Sequence, residues 1–231
     1  MKDYQAELEK ALLIHTHRRD YILRGQTFII QSVPDLDRIL DAMCDDELNT
    51  DERLPYWAFL WPSAIALAEY ILDHKDDFKR KRVLELGCGL GLTGIAAAHC
   101  GAYVLFTDYE ENALTYTKKN FYMNFNKIAN VKLFDWRETP IEDKFDFLIA
   151  SDVIYERRFF APLINAIDRL LFESNRVLIT DPKRRLAKNF FALLDTKSYN
   201  HQVEFLQTYL DGRKYDIDLH LINKKHKISG D

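Results

Sequence analysis

A glycine-rich loop that directly follows a short apolar stretch constrains the fold of this chain more than any other feature. Residues 83–86 read VLEL and residues 87–91 read GCGLG, so the loop begins where a buried strand would end. The small, apolar segment from Leu92 to Cys100 has the character of a helix packed on a sheet. Glycines allow a sharp turn and a close approach of the backbone to a ligand. The order of strand, loop and helix therefore predicts an α/β unit with a ligand at the loop.

Further apolar stretches alternate with helical segments along the rest of the chain. This alternation favours a parallel sheet with helices on both faces. Two strand-like runs with no helix between them, joined by a turn at 211–214, predict an antiparallel hairpin at the C-terminal end. The predicted strands are 83–86, 103–107, 130–134, 145–150, 176–180, 203–210 and 215–222, and the predicted helices are 64–72, 92–100, 110–125, 159–172 and 183–194.

The first 53 residues differ from this regular pattern. Residues 1–24 are charged and helical in character, residues 27–30 predict a short strand, and Pro34 begins a short helix that ends at Met43. The acidic stretch 45–52 is interpreted as an exposed loop, with attraction of a lysine-rich substrate as the alternative. We predict an N-terminal extension over residues 1–53, of helical and strand segments, packed on a core domain that covers residues 54–231.

Length and composition exclude several classes of protein. The 231 residues fit one large α/β domain, and a net charge of −4 argues against a dedicated nucleic-acid binder. The three cysteines, at 44, 88 and 100, include no CxxC pair, and the histidines show no ligand spacing, so we expect neither disulfides nor a metal site. No apolar run approaches 18 residues and the N-terminus has no signal core. We therefore expect a soluble, cytoplasmic monomer that does not bind membranes.

Acidic and aromatic residues at the ends of the predicted strands indicate what the loop binds. The first turn of a helix presents N–H groups without partners and a partial positive charge, which suit the carboxylate of S-adenosyl-L-methionine. Asp108 ends the second strand, where a carboxylate can accept hydrogen bonds from both ribose hydroxyls. Asp135 and Trp136 end the third strand, beside the expected adenine, with Trp136 as a flat apolar wall.

A dinucleotide site is the competing interpretation of the same loop. The run from Gly89 to Gly94 matches the GxGxxG fingerprint, and Asp108 follows Gly89 at nearly the spacing expected for NAD. The strand ends at Leu86, however, so the loop begins at Gly87 and its third glycine position is occupied by Leu92. The register therefore favours S-adenosyl-L-methionine. A tight turn with no ligand is the remaining alternative.

Three segments resemble methyltransferase family 16, the seven-strand protein lysine methyltransferases with a DxxY motif after the fourth strand. They are LPYWAFLWP at 54–62, the glycine loop, and SDVIY at 151–155. The first is most similar to the branch that includes the electron-transfer flavoprotein β lysine methyltransferase. The resemblance covers about residues 54–180. It implies a Rossmann-like class I methyltransferase fold, which is a doubly wound seven-stranded sheet with a C-terminal antiparallel hairpin.

The resemblance also assigns roles to individual residues. Asp152 and Tyr155 form the DxxY motif and are expected beside the channel for the methyl acceptor, as the catalytic residues. A helix cap for Asp152, and ordinary packing for Tyr155 and Trp61, are the structural alternatives. The expected cofactor-binding set, from the loop and the resemblance together, is Trp61, Glu85, Gly87, Cys88, Gly89, Gly91, Asp108, Asp135, Trp136 and Ser151.

The predicted function is transfer of a methyl group from S-adenosyl-L-methionine to a lysine ε-amine of a protein, by in-line displacement, with S-adenosyl-L-homocysteine as product. A small-molecule N-methyltransferase is the first alternative, because the cofactor site does not distinguish acceptors. Methyltransferases that modify amide or base nitrogens often carry Asn-Pro-Pro-Tyr or Asn-Pro-Pro-Phe where this chain has SDVIY. A basic cluster at 183–188 leaves RNA as a further alternative, although such clusters are usually solvated faces.

Overall fold

The computed structural model describes residues 17–33, 55–137, 141–197 and 199–224 of the chain. These residues form a two-stranded sheet and a seven-stranded sheet with helices on both faces. No helix in these ranges is both long and apolar enough to cross a bilayer. The strands are β1 His17–Leu23, β2 Gln26–Ser32, β3 Arg82–Leu86, β4 Tyr103–Asp108, β5 Val131–Leu133, β6 Phe145–Ser151, β7 Leu171–Asp181, β8 Tyr199–Leu210 and β9 Arg213–Lys224, and the helices are α1 Pro62–Asp73, α2 Lys75–Phe78, α3 Leu92–His99, α4 Glu111–Phe125, α5 Phe160–Leu170 and α6 Ala187–Asp195.

The seven-stranded sheet has the order β5-β4-β3-β6-β7-β9-β8. Its first five strands are parallel, and β9 pairs antiparallel with both β7 and β8. The chain moves outward from β3 to β5, then returns to the other side of β3 as β6. Ligands bind open α/β sheets outside the carboxyl ends of the strands where the order reverses. The predicted fold class is confirmed, and the fold places a binding crevice beyond β3 and β6.

Two apolar cores cover the two faces of this sheet, since successive side chains of a strand point to opposite faces. In β3, Val83 belongs to one core and Leu84 to the other. In β6, Phe147 and Ile149 pack on the first side, and Leu148 packs on the second. Helices α1, α3 and α4 cover the first face, and α5 and α6 cover the second. The continuous apolar runs in these strands reflect burial on both sides.

The predicted N-terminal helix is wrong over residues 17–23, which form strand β1. This strand pairs with β2 through a two-residue turn, in which Arg24 has φ 48° and Gly25 has φ 77°. Positive φ at both turn positions matches the twist of a tight hairpin. Alternation in β2 buries Phe28 and Ile30 in the first core, and this tertiary packing outweighs the helical pattern of the charged partner strand.

Asparagine side chains of α4 attach the N-terminal hairpin to the core domain. The Asn124 side chain accepts a hydrogen bond from the Ile29 N–H (3.0 Å) and donates one to the Ile29 carbonyl (2.8 Å). Asn120 accepts from the Gln31 N–H at 2.8 Å. The predicted strand at 27–30 is therefore confirmed as part of β2. The predicted helix at 34–43 and the acidic stretch at 45–52 lie outside the described residues, as do residues 1–16.

The C-terminal hairpin is longer than predicted and its turn is shorter. Asp211 (φ 52°) and Gly212 (φ 73°) form a two-residue turn, where the sequence indicated four residues. Strand β7 ends at Asp181, opposite Asp218 of β9. Residues 213–217 pair only with β8, so the tip of the hairpin extends past the carboxyl edge of the parallel strands. The hairpin therefore projects from the same edge of the sheet, next to the end of β7.

Two helix boundaries also differ from the prediction. Helix α5 ends at Leu170, because Leu171 and Phe172 already belong to β7, and α6 begins at Ala187, four residues later than predicted. The segment between β7 and α6 includes Lys183 with φ 64°, a left-handed conformation that a helix does not contain. The basic residues at 183–185 consequently lie in a turn at the carboxyl edge of the sheet.

Candidate functional site

A cleft opens at the carboxyl ends of β3, β4 and β6, with an empty volume of about 720 Å³ counted to its mouth. The structure brings ten of the twelve predicted site residues to its walls, and Glu85 and Asp135 lie outside it. The ten are Trp61, Gly87, Cys88, Gly89, Gly91, Asp108, Trp136, Ser151, Asp152 and Tyr155.

The glycine loop forms the floor of the cleft in a conformation that other residues rarely adopt. Gly87 has φ 65° and Gly91, which precedes the first residue of α3, has φ 81°. A Cβ atom at Gly91 would lie 2.9 Å from Oγ1 of Thr117, so a side chain does not fit there. A Cβ atom at Gly87 would lie 3.0 Å from Val153 and 3.7 Å from Trp136. The glycines thus keep the cleft open above α3.

Glu85 supports this loop from behind rather than lining the cleft. Its side chain is fully buried and accepts a hydrogen bond from the Gly94 N–H at 3.1 Å. Its backbone carbonyl accepts one from the Thr107 hydroxyl at 2.6 Å. Burial raises the pKa of Glu85 to about 8. The Glu85 carboxyl group points to the first turn of α3, so it does not contact a ligand in the cleft.

Asp108 lies at the end of β4 with its carboxylate between two backbone amides. Oδ2 accepts from the Gly89 N–H at 2.9 Å and Oδ1 accepts from the Glu110 N–H at 3.0 Å. Burial raises its pKa to about 6. A carboxylate has roughly four acceptor positions, so these backbone amides leave capacity for a hydroxyl donor from a ligand. The position at the cleft wall fits the predicted ribose contact.

Trp136 lines the cleft, whereas its neighbour Asp135 points away from it. The Trp136 ring packs edge-on against Phe159 with centroids 5.9 Å apart. Its Nε1 atom is buried and has no hydrogen-bond partner in the described part of the chain. Asp135 instead forms an ion pair with Arg137, with Oδ2 and Nη2 2.6 Å apart. The structure therefore separates this predicted pair into a cleft residue and a residue that anchors the segment after β5.

The aromatic segment before α1 also lines the cleft, on the side of the glycine loop. Trp61 immediately precedes Pro62, the first residue of α1, and its Nε1 donates to the Tyr56 carbonyl at 2.8 Å. Tyr56 and Trp57 also line the cleft, although the sequence analysis gave neither a role. The Trp57 carbonyl would lie 3.4 Å from a Cβ atom at Gly89, so this segment closes directly over the glycine loop.

Asp152 and Tyr155 line the side of the cleft formed by the segment after β6. Asp152 is 9% exposed and has φ 55°, an uncommon conformation for a residue with a side chain. Its N–H donates to the Thr180 carbonyl at 2.9 Å. Its carboxylate is held by Arg184, with Nε 2.7 Å from Oδ1 and Nη2 2.9 Å from Oδ2. The carboxylate therefore accepts from a guanidinium, and the helix-cap alternative does not describe its contacts.

Tyr155 belongs to an aromatic group at the cleft wall. Its ring packs edge-on against Tyr56 (5.6 Å between centroids) and Phe159 (5.8 Å). Burial raises the pKa of Tyr155 far above its ordinary value, so its hydroxyl keeps its proton at neutral pH. A protonated hydroxyl can both donate and accept a hydrogen bond. The ring and hydroxyl together can guide an amine without accepting its proton.

Arg184, which holds Asp152 but does not itself line the cleft, is a further residue that sequence reasoning missed. The sequence analysis identified it only as one member of a basic cluster. It lies 32 residues beyond Asp152, and no periodicity or motif connects the two positions. Only the parallel pairing of β6 with β7 brings the turn after β7 next to the segment after β6.

Comparisons with known proteins agree with this geometry. Residues 44–197 match a family model described as lysine methyltransferase. The electron transfer flavoprotein beta subunit lysine methyltransferase homolog of Caenorhabditis elegans is 31% identical over 145 residues, which are 56% of this chain and 59% of that protein. The histidine protein methyltransferase 1 homolog of Dictyostelium discoideum is 36% identical over 122 residues, 50% of this chain and 39% of that protein. The chain thus spans less than two thirds of either relative.

A solved structure shows the same fold at low sequence identity. The 16S rRNA N2 G1207 methyltransferase of T. thermophilus, in complex with AdoMet and guanosine, superposes with a TM-score of 0.62 at 15% identity. The superposition covers 92% of this chain and 51% of that one. At this level of identity, the similarity is one of fold.

Proposed function

The chain belongs to the lysine methyltransferase family, and on that premise we propose that it transfers a methyl group from S-adenosyl-L-methionine to a lysine ε-amine of a protein substrate. The observation that carries the proposal is one cleft with two kinds of wall. The glycine loop and Asp108 form one wall, and the DxxY residues Asp152 and Tyr155 form the other. A cofactor on the first wall and an acceptor at the second would meet inside the same cleft.

The residues of the first wall fit S-adenosyl-L-methionine. The N–H groups at the start of α3 would bind the methionine carboxylate, and Asp108 would accept from the ribose hydroxyls. Trp136 would face the adenine, and its buried Nε1, unpaired within the described ranges, has a hydrogen bond to give. When bound, S-adenosyl-L-methionine supplies a methyl group on a sulfonium sulfur, and S-adenosyl-L-homocysteine is the product.

The second wall would position the amine. A lysine must be neutral to act as a nucleophile, and its ordinary pKa of about 10.4 makes deprotonation at pH 7 cost roughly 4–5 kcal/mol. Tyr155 keeps its proton and so serves as a wall and hydrogen-bonding group rather than as a base. Asp152 supplies a negative charge that attracts the ammonium form. Orientation of the two reactants is then the main contribution of this wall to the rate.

Transfer of labelled methyl groups into proteins of a cell extract tests the proposal. Wild-type enzyme with labelled S-adenosyl-L-methionine should label a protease-sensitive band, and hydrolysis of that band should release methyl-lysine. Label recovered as methyl-histidine, in nuclease-sensitive material or only in small molecules would contradict the proposed acceptor. The variant Asp108→Ala, with its ribose contact removed, serves as the inactive control. The cytoplasmic location and the monomeric state expected from the sequence stay predictions.

A further inference from the structure

Two carboxylates behind the acceptor wall contact the same arginine, one through its guanidinium and the other through its backbone N–H. Asp152 makes the two side-chain hydrogen bonds to Arg184 described above, and Asp181 accepts the backbone N–H of the same arginine at Oδ1, at 2.7 Å. Asp181 is 2% exposed, and its Oδ2 atom is buried with no hydrogen-bond partner among the residues that the structure describes. Both oxygens of Asp152 are therefore hydrogen-bonded to Arg184. Asp181, bonded to the same arginine through one oxygen, has a second oxygen without a partner among the described residues.

A buried carboxylate oxygen without a hydrogen-bond partner destabilises the folded state, and more so when the group is charged. The pKa of Asp181 is raised to about 6, because burial and the carboxylates of Asp152 and Asp218 outweigh the lowering by the backbone N–H and the charge of Arg184. A guanidinium has five N–H donors, and Asp152 uses two of the three groups that carry them. The backbone of Arg184 is bonded to Asp181, and the charge of Arg184 lowers the pKa of that carboxylate, so the guanidinium lies near it.

The charged groups around Asp152 and Asp181 would be balanced by one more cation. Lys183 pairs with Asp218, with Nζ and Oδ1 3.6 Å apart, so that pair is neutral. Arg184 then balances only one of the two remaining carboxylates when both are ionised. A neutral acceptor group entering the cleft would leave this excess negative charge in place, whereas an ammonium group would cancel it. The arrangement therefore favours a cationic amine over a neutral acceptor.

We propose that Arg184 is a positioning residue that exchanges between the two carboxylates, pairing with Asp152 in the absence of an acceptor and moving to Asp181 when an acceptor ammonium binds Asp152. This inference rests on the proposed function and adds a reason for the choice of a lysine. When the bound ammonium loses its proton to solvent, Arg184 returns to Asp152. The amine is then neutral and no longer held by the carboxylate. Asp152 thus has a cationic partner at both stages.

Binding of n-butylammonium, a mimic of the lysine side chain, tests the exchange without the protein substrate. The dissociation constant is measured by NMR titration at pH 7 on enzyme saturated with S-adenosyl-L-homocysteine. In Asp181→Asn the second position for Arg184 is weakened, so binding should become about tenfold weaker. In Arg184→Met the competitor for Asp152 is gone, so binding should become several-fold tighter. The neutral analogue n-pentanol should bind all variants alike.

A matched control separates exchange from a general change in charge. Arg185→Met removes the same charge from the exposed neighbouring residue and should leave the dissociation constant within about twofold of wild type. A structural role alone would weaken binding in both Asp181→Asn and Arg184→Met, and that result would overturn the exchange, as would no change in either. Failure of wild type to bind S-adenosyl-L-homocysteine would instead contradict the proposed function, so the two failures are distinguishable.

Discussion

The two walls of the cleft are built from different kinds of contact. Around the cofactor wall, backbone amides fix the acidic side chains: Asp108 accepts from the Gly89 N–H, and Glu85, behind the loop, accepts from the Gly94 N–H. In the acceptor wall the fixing contact is an ion pair between two side chains, those of Arg184 and Asp152. Backbone contacts within one strand-loop-helix unit leave little freedom. Side-chain ion pairs between distant segments can rearrange, so we expect a rigid cofactor wall and an adaptable acceptor wall.

The largest effect should come from a side chain in the glycine loop. Gly91→Ala places a Cβ atom 2.9 Å from Thr117 at φ 81°, and the left-handed conformation alone costs roughly 1–2 kcal/mol for a non-glycine residue. We expect binding of S-adenosyl-L-homocysteine to weaken more than tenfold, as measured by calorimetry. Gly212→Ala, with φ 73° and no atom within 4 Å of the new Cβ, should lose similar stability without loss of binding. Equal effects of both substitutions on binding would show that the loop is not rigid.

A smaller effect is expected at the acceptor wall. Tyr155→Phe removes the hydroxyl but keeps the ring contacts with Tyr56 and Phe159. Methyl transfer into the substrate protein, the one labelled in the cell extract, should therefore fall about tenfold. Tyr155→Ala also removes the ring and should reduce transfer about a hundredfold. Both variants should bind S-adenosyl-L-homocysteine within about threefold of wild type. Parallel loss of binding would mean that Tyr155 belongs to the cofactor wall.

The pH dependence of stability should depend on Glu85. Its pKa is about 8 in the folded protein and near 4.3 in an unfolded chain, so the folded state binds more protons between these values. The contribution of Glu85 to the unfolding free energy is therefore present below about pH 4 and is lost as the pH rises towards 8. Glu85→Gln should flatten the decline between pH 5 and 8 in urea titrations. Glu142→Gln, at an exposed position, should follow the wild-type curve; a curve for Glu85→Gln that also follows wild type would contradict the buried proton.

The contrast between the walls also explains what could be predicted from the sequence. The glycine loop, Asp108 and Trp136 were placed correctly in the cleft because each follows a strand of a regular α/β pattern, and the parallel strands bring their carboxyl ends together. Glu85, predicted from its place inside the end of β3, and Asp135, predicted after the third strand, lie outside the cleft. Each is held by a partner elsewhere, Glu85 by the Gly94 N–H and Asp135 by Arg137, and neither partner could be read from the strand pattern.

Contacts between distant segments had no signal that could be read from the sequence. Arg184 looked like part of a solvated basic face, and its partner Asp152 looked available for an acceptor. The strand character of residues 17–23 was missed for a related reason, since its apolar partner β2 and the packing of that strand on α4 decide it. In each case the deciding contact joins residues that the local pattern does not connect.

Paired binding and transfer assays on Asp108→Ala and Asp152→Ala test whether the cleft is divided into a cofactor wall and an acceptor wall. Each variant is titrated with S-adenosyl-L-homocysteine and then assayed for methyl transfer into the labelled protein. We expect Asp108→Ala to lose both binding and transfer. We expect Asp152→Ala to lose transfer by at least tenfold while it binds S-adenosyl-L-homocysteine as wild type does. Equal loss of binding in the two variants would contradict the division of the cleft into a cofactor wall and an acceptor wall.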